Sequence, residues 1–225
     1  MKYNNIKKGV FIKRPNRFIA HILIDDIVEV CHVKNTGRCR ELLVPNATVY
    51  VQISDNPNRK TKYDLIGVQK GNLMINMDSQ IPNSVFGEWA RNGGVPNLSY
   101  IKGEQMFGKS RLDFYMETDK SKIYAEIKGV TLERDKVALF PDAPTERGIK
   151  HLEELCHCIN QGFDAWMVFV VQMKGMKYFT PNRETHPEFA DALEMAYKKG
   201  VKIFALECQV QPDEIYAIGE IPIKI

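Results

Sequence analysis

Arg111-Leu112-Asp113-Phe114-Tyr115 and Ile123-Tyr124-Ala125-Glu126-Ile127-Lys128 alternate with the period of a half-buried strand. Successive strand side chains point to opposite faces, so Glu126 and Lys128 share one face, and pairing of the two segments lets Asp113 join it. Two carboxylates close together repel unless a cation lies between them, and hard oxygen ligands favour Mg²⁺ or Mn²⁺. A lysine on the same face could orient or deprotonate a water, or steady a negative transition state. These parts suit metal-assisted phosphodiester hydrolysis. The same spacing also arises in charged hairpins, as exposed cross-strand pairs of small worth. The apolar setting favours the catalytic reading. Ile123, Ala125, Ile127 and Val130, then Val137-Ala138-Leu139-Phe140, read as strands covered on both faces, where acids rarely stand without a partner.

Around these strands, residues 82–225 read as an α/β domain with a mixed central sheet. Asn83 or Ser84 can cap a short helix through Arg91, stopped by Gly93-Gly94 and Pro96. Strands follow at about 101–107, 111–117, 122–132 and 136–140. Thr145 caps a longer helix that ends at Gly162. A fully apolar strand 165–172, a helix 186–199 closed by Gly200 and a strand 201–207 complete the pattern. On the helix after Pro144, Arg147, Lys150, His151 and Glu154 fall on one stripe, while Leu152, Leu155 and Ile159 fall on another and should pack inward. Arg147 and His151 could hold a scissile phosphate or protonate a leaving oxygen. The alternative is a salt-bridged surface with Glu154.

Residues 1–81 alternate as a small β unit. Strands are expected at 10–13, 17–24, 27–33, 48–53, 63–69 and 73–77, joined by turns such as Asn35-Thr36-Gly37 and Asp55-Asn56-Pro57-Asn58. Short strands without a convincing helix suit a barrel of the OB type. Its loops carry Arg38 and Arg40, then Arg59, Lys60 and Lys62. Such loops could follow a phosphate backbone, with Tyr50 or Tyr63 as a stacking surface. They could equally form a solvated surface with the aromatics in the core.

Bulk composition sharpens the division. Residues 1–80 hold 13 Lys/Arg against 7 Asp/Glu, and residues 81–225 hold 18 against 21. A basic front and a mildly acidic back place an anionic partner at the front. Five cysteines (Cys31, Cys39, Cys156, Cys158, Cys208) lack the spacing of a disulfide scaffold or of a paired zinc site, and no signal peptide or membrane span is evident. A cytoplasmic protein without a membrane partner is expected, and monomer and homodimer both stay open. No Gly-rich phosphate loop, internal repeat or low-complexity tract is present.

The chain resembles the bacterial and archaeal sugar fermentation stimulation protein (SfsA) family from end to end. The resemblance rests on Asn35-Thr36-Gly37, Leu42-Leu43-Val44-Pro45, Ser54 through Lys60, Ser110-Arg111-Leu112-Asp113-Phe114, Glu126 through Leu132, Phe140-Pro141-Asp142-Ala143, Thr145-Glu146-Arg147-Gly148 and Lys150-His151-Leu152. It implies an N-terminal OB-like barrel followed by a PD-(D/E)xK nuclease-like domain, DNA as partner, and a part in regulating sugar (maltose) metabolism genes. It gives Asp113 the role of the motif aspartate, Glu126 that of the acidic metal ligand and Lys128 that of the motif lysine. Glu88 becomes the extra acid from the first helix. The chain departs at Arg38-Cys39, where many relatives carry Ser-Met, which adds a positive charge near the expected DNA surface. The combined expectation is a DNA-binding protein with a Mg²⁺- or Mn²⁺-dependent nuclease-type site. Its ligands are Asp113, Glu126, Glu88 and the Ile127 carbonyl, Lys128 and His151 are its catalytic groups, and Arg147 and Lys150 face the phosphate. The alternative is a DNA-binding transcriptional regulator with a vestigial site.

Overall fold

The computed structural model of the chain describes residues 1–35, 37–56, 58–108 and 110–225. Thr36 and Pro57, each inside an expected turn, lie outside the described residues. The first sheet contains β1 (Ile6–Asn16), β2 (Ile19–Ile24), β3 (Ile27–Val33), β4 (Thr48–Ile53), β5 (Tyr63–Lys70) and β6 (Leu73–Asn76), in the order β3-β2-β1-β4-β5-β6. Pairing of Cys31, His32 and Val33 with Tyr63, Asp64 and Leu65 joins β3 to β5 and closes the barrel. Closure removes most of the open edge that a short meander would otherwise expose. Its strands alternate as the sequence implies: Ala20, Ile22 and Ile24 point inward from β2.

The second unit begins with α1 (Ile81–Trp89), which runs into a short π-helical turn at Ala90–Gly94. Next come β7 (Leu98–Phe107), β8 (Ser110–Thr118), β9 (Lys122–Val130), β10 (Leu132–Arg134) and β11 (Val137–Phe140). They are followed by α2 (Glu146–Asn160), β12 (Asp164–Val171), β13 (Tyr178–Pro181), α3 (Pro187–Lys198), β14 (Lys202–Gln211) and β15 (Glu214–Ile221). The main sheet has the order β15-β14-β12-β9-β8-β7 and is mixed: β9, β12 and β14 run parallel, and the outer strands antiparallel. α1 packs with Phe114, Ala125 and Val168 on one side, and Leu152 and Leu155 of α2 belong with Phe169 to the other. From Ala165 to Val171 β12 is apolar, because its length beyond Trp166 is covered on both faces.

Thr145 caps α2 by accepting the Gly148 N–H at 3.0 Å, a bond of about 1 kcal/mol in such positions. α1 starts at Ile81, earlier than an Asn83 cap implies, because Pro82 suits the first turn of a helix. Asn83 therefore sits inside that turn, free to reach sideways. β13 and β15 add two strands beyond the expected pattern.

The two units are tied together. Gln172 donates from its Nε2 to the Asn76 carbonyl at 3.0 Å, the Asn76 Oδ1 at 3.1 Å and the Asp78 carbonyl at 3.0 Å. Its backbone carbonyl accepts the Asn76 N–H at 3.0 Å. Gly129 permits this closeness: a Cβ there would collide with the Gln172 amide and with Pro82. Gly37 plays the same part on the loop after β3, where a Cβ would strike the Asp142 carboxylate. Asp142 accepts the Arg38 N–H at 3.1 Å, which ties that loop to the segment leading into α2.

Candidate functional site

β8 and β9 pair from Glu117↔Lys122 to Phe114↔Ala125, and that register sets Asp113 across from Glu126. Past that point the ladder gives way to a side chain: Asp113 Oδ2 accepts the Ile127 N–H at 2.8 Å. The N–H and C=O of a strand residue leave on the same side, so the Ile127 carbonyl is directed toward Asp113 as well. Asp113 Oδ1 accepts from Asn83 Nδ2 at 3.0 Å, which brings the first turn of α1 into the site.

Glu126 and Lys128 lie on the face of β9 that α2 covers. Glu126 is only 2% exposed. Its Oε1 accepts from Lys128 Nζ at 2.6 Å and also meets His151 Nδ1. Lys128 Nζ stands 3.1 Å from the same ring nitrogen. Arg147 Nε donates to His151 Nε2 at 3.3 Å, which assigns the ring proton to Nδ1, facing Glu126. Glu126 Oε2 is buried and has no hydrogen-bond partner among the described residues. An unpaired buried carboxylate oxygen is costly, and it leaves an acceptor here that no described residue of the protein satisfies.

The two carboxylates differ electrostatically. Burial raises the Asp113 pKa, and the nearby Glu126 charge raises it further, against the bonds from Ile127 and Asn83. Burial also acts against ionisation of Glu126, but the His151 bond and the Lys128 ammonium outweigh it and hold that carboxyl low. The arrangement therefore offers an anionic Glu126, a repelled neighbour and two nitrogen donors on one strand face. Among the described residues no set of three or more His, Cys, Asp or Glu side chains converges in metal-binding geometry. The side-chain share of a cation's shell would thus be Asp113 and Glu126.

Several expected residues lie elsewhere. Glu88 pairs with the Met1 amino group at 2.7 Å, which also donates to the Ile215 carbonyl, so α1 turns this acid away from Asp113. Asn83, five residues earlier and on another side of the helix, takes that place; it reads as a cap in the sequence, and only the register of α1 reveals its reach. Arg59 is not a free phosphate ligand. Its guanidinium grips Asp64 with two bonds of 2.7 and 2.6 Å, beside His32 at 3.0 Å and Lys34 at 3.7 Å. Tyr63 is buried under Lys62 and offers no open stacking face, whereas Tyr50 is half-buried against the core. Arg38, Arg40, Lys60, Lys62, Arg147 and Lys150 are exposed. Of these, only Arg147 is brought to the carboxylates, through His151. The five cysteines are buried free thiols. No helix among the described residues is long and apolar enough to cross a membrane.

The chain matches two family profiles, "SfsA N-terminal OB domain" over residues 12–77 and "Sugar fermentation stimulation protein RE domain" over residues 80–214. It is 58% identical to a sugar fermentation stimulation protein homolog of Desulfitobacterium hafniense (strain Y51), covering 100% of this chain and 99% of that protein. A homolog of the same name from Ruminiclostridium cellulolyticum is 54% identical, with 100% of both chains covered. The fold superposes on a structure described as Pyrococcus furiosus SfsA in complex with Ca²⁺, with a TM-score of 0.90 and 28% identity, covering 100% of this chain and 98% of that one. The chain therefore belongs to the sugar fermentation stimulation protein (SfsA) family.

Proposed function

We propose that the protein binds DNA and hydrolyses phosphodiester bonds at a divalent-cation site on Asp113 and Glu126, as PD-(D/E)xK nucleases do. The observation that carries this reading is the buried, partnerless Glu126 Oε2 beside a second carboxylate. Two anionic oxygens with a backbone carbonyl alongside form a hard donor set of the kind Mg²⁺ or Mn²⁺ prefers, and a cation there would relieve the repulsion at Asp113. Asp113 and Glu126 would hold it, with the Ile127 carbonyl assisting. The related Pyrococcus furiosus structure contains Ca²⁺, another oxygen-seeking cation, which supports a cation in this fold. When bound, the cation supplies Lewis-acid polarisation of a phosphoryl oxygen and a more acidic attacking water.

The chain's own residues do the rest. Lys128, anchored on Glu126, orients the water with its remaining N–H donors. His151 is held by Arg147 in the tautomer that keeps a proton at Nδ1, and its Nδ1–H donates to Glu126 Oε1, which fixes the orientation of that carboxylate. Arg147 at the start of α2 receives the phosphate, and the exposed Arg38, Arg40, Lys60, Lys62 and Lys150 carry the flanking backbone. The test is cleavage of DNA with Mn²⁺ by the purified protein and by Asp113→Ala. The variant should lose about a thousandfold or more in rate, roughly 4 kcal/mol of barrier, while keeping most of its DNA affinity. Undiminished metal-dependent cleavage by the variant would overturn the assignment.

One observation favours a second reading, a DNA-binding regulator without turnover. Lys128 and His151 both crowd Glu126 Oε1, and the Lys128 ammonium already offsets the charge of that carboxylate. The name carried by the relatives, sugar fermentation stimulation protein, agrees with a part in regulating sugar (maltose) metabolism. This reading expects duplex binding that weakens steeply with salt and no cleavage with any cation.

A further inference from the structure

A groove of about 620 Å³ opens on the barrel between β1 and the loop that follows β3. Lys13, Arg17, Arg38 and Arg40 line it, together with Ile12 and Pro45, and among the described residues no acidic side chain does. All four cations are exposed, and none takes part in an ion pair among the described residues. A fifth cation in the wall is already committed. Arg14 donates to the carbonyls of Asn35, Gly37, Arg38 and Arg17 at 2.6 to 2.8 Å, and so fixes the shape of the groove's rim. Asp142, behind the loop, accepts the Arg38 backbone N–H and offsets part of this charge; an anion bound in the groove would relieve the self-repulsion that remains.

A second observation decides what kind of anion fits. Phe18, on the tight turn between β1 and β2, is 50% exposed, and the Arg17 guanidinium lies 5.8 Å from its ring centroid. The turn is held by Asn16, whose Oδ1 accepts the Phe18 N–H at 2.9 Å and the Ile19 N–H at 3.1 Å. The aromatic face is thus presented from a fixed support beside the cations. Cations along a groove with a rigid, open aromatic ring at its edge are the parts that hold an unpaired nucleotide strand: phosphates on the cations, a base on the ring. Bases inside a duplex are already stacked and gain nothing from Phe18. The groove also abuts Ala143, in the segment that leads through Thr145 into α2 and its Arg147.

We propose that this groove, with Phe18, is a docking site for single-stranded DNA, separate from the scissile phosphate at Asp113 and Glu126. The site deepens the DNA reading above and rests on it. It takes the strand's backbone on Lys13, Arg17, Arg38 and Arg40 and one unpaired base on Phe18, and so favours DNA with a single-stranded arm over a blunt duplex.

The test is fluorescence anisotropy with a labelled single strand and a duplex of equal length, in EDTA and over a range of salt, using the full chain, Phe18→Ala and the double variant Lys13→Glu/Arg17→Glu. Both variants alter only exposed side chains, and far-UV circular dichroism checks that they fold. Phe18→Ala should lose roughly tenfold in single-strand affinity with duplex affinity unchanged, in line with the loss of one stacked base. The double variant should flatten the salt dependence of single-strand binding by about 1.4 in log–log slope. Three results overturn the proposal: no single-strand binding by the unaltered protein, unchanged single-strand binding by both variants, or equal losses on single strand and duplex with Phe18→Ala. Failure of the nuclease reading looks different. In that case Mn²⁺ gives no cleavage, while single-strand binding and its dependence on Phe18 persist.

Discussion

Two buried carboxylates in this molecule have nearly the same company and different fates. Asp64 in the barrel and Glu126 in the α/β domain each meet a lysine, a histidine and an arginine-supported network. On Asp64 both oxygens are used: Arg59 bridges them, His32 adds to Oδ1 and Lys34 approaches Oδ2. On Glu126 the donors crowd Oε1, and Oε2 is left with none. The first arrangement is closed and holds the barrel's seam together. The second is incomplete, and it stands beside another carboxylate. Counting charges does not distinguish them, but counting lone pairs does.

That contrast can be broken most directly at Asp64. Asp64→Asn strips the charge from a buried cluster and leaves Arg59 and Lys34 facing one another, so it should cost about 3 kcal/mol in urea unfolding. A loss below 1 kcal/mol would show that the cluster is no more structural than Glu126. The next effect concerns the open site. Asn83→Ala removes an outer partner of Asp113 and should weaken Mn²⁺ binding about tenfold by calorimetry, with stability little changed. Unchanged binding would release α1 from any share in the site. Smaller still, Asp113→Asn without metal removes a negative charge next to Glu126 while keeping an acceptor for the Ile127 N–H. It should stabilise the fold by about 1 kcal/mol, the opposite sign to Asp64→Asn. A destabilised variant would mean that the Asp113 charge is held by a partner rather than merely tolerated.

Acid titration gives the finest comparison. Burial works against ionisation of Asp64, but Arg59, His32 and Lys34 outweigh it and hold its pKa below the ordinary 3.8. Its contribution is therefore fully present above 3.8 and is lost as pH falls through the lower folded value. Asp113 is shifted the other way, so its penalty fades as pH falls. Stability curves of the two Asn variants against the unaltered chain should consequently converge with it at low pH from opposite sides.

Much of this architecture is legible in the sequence. Period-two alternation at 111–115 and 123–128 yields the paired strands, and Thr145 with Gly162 brackets α2, which sets His151 over β9. Harder to read are features that depend on a direction rather than a period. Glu88 and Asn83 sit on the same short helix, and only its angle to β8 decides which of them reaches Asp113. Arg59 looks like a surface cation because its partner Asp64 is an acid inside an apolar run, YDLIGV, whose burial is not visible locally. β13 is four residues long and exists because β11 lies alongside it. The β14–β15 hairpin, in contrast, carries a signal in the Pro212-Asp213 turn between two apolar runs. The groove at Lys13 and Arg17 also leaves a trace, since a Phe flanked by Arg17 in a tight turn is an odd place for an apolar ring.

The hydrogen bonds of the Gln172 amide across the junction give the molecule the character of a gauge. With Asn76 and Asp78 fastened to the same side chain, the barrel is not free to swing against the carboxylates. On the proposed reading, a strand gripped at Phe18 would meet Asp113 and Glu126 after a fixed path along the surface. Fragments released from a gripped end would then share one length, set by the protein rather than by the sequence of the DNA.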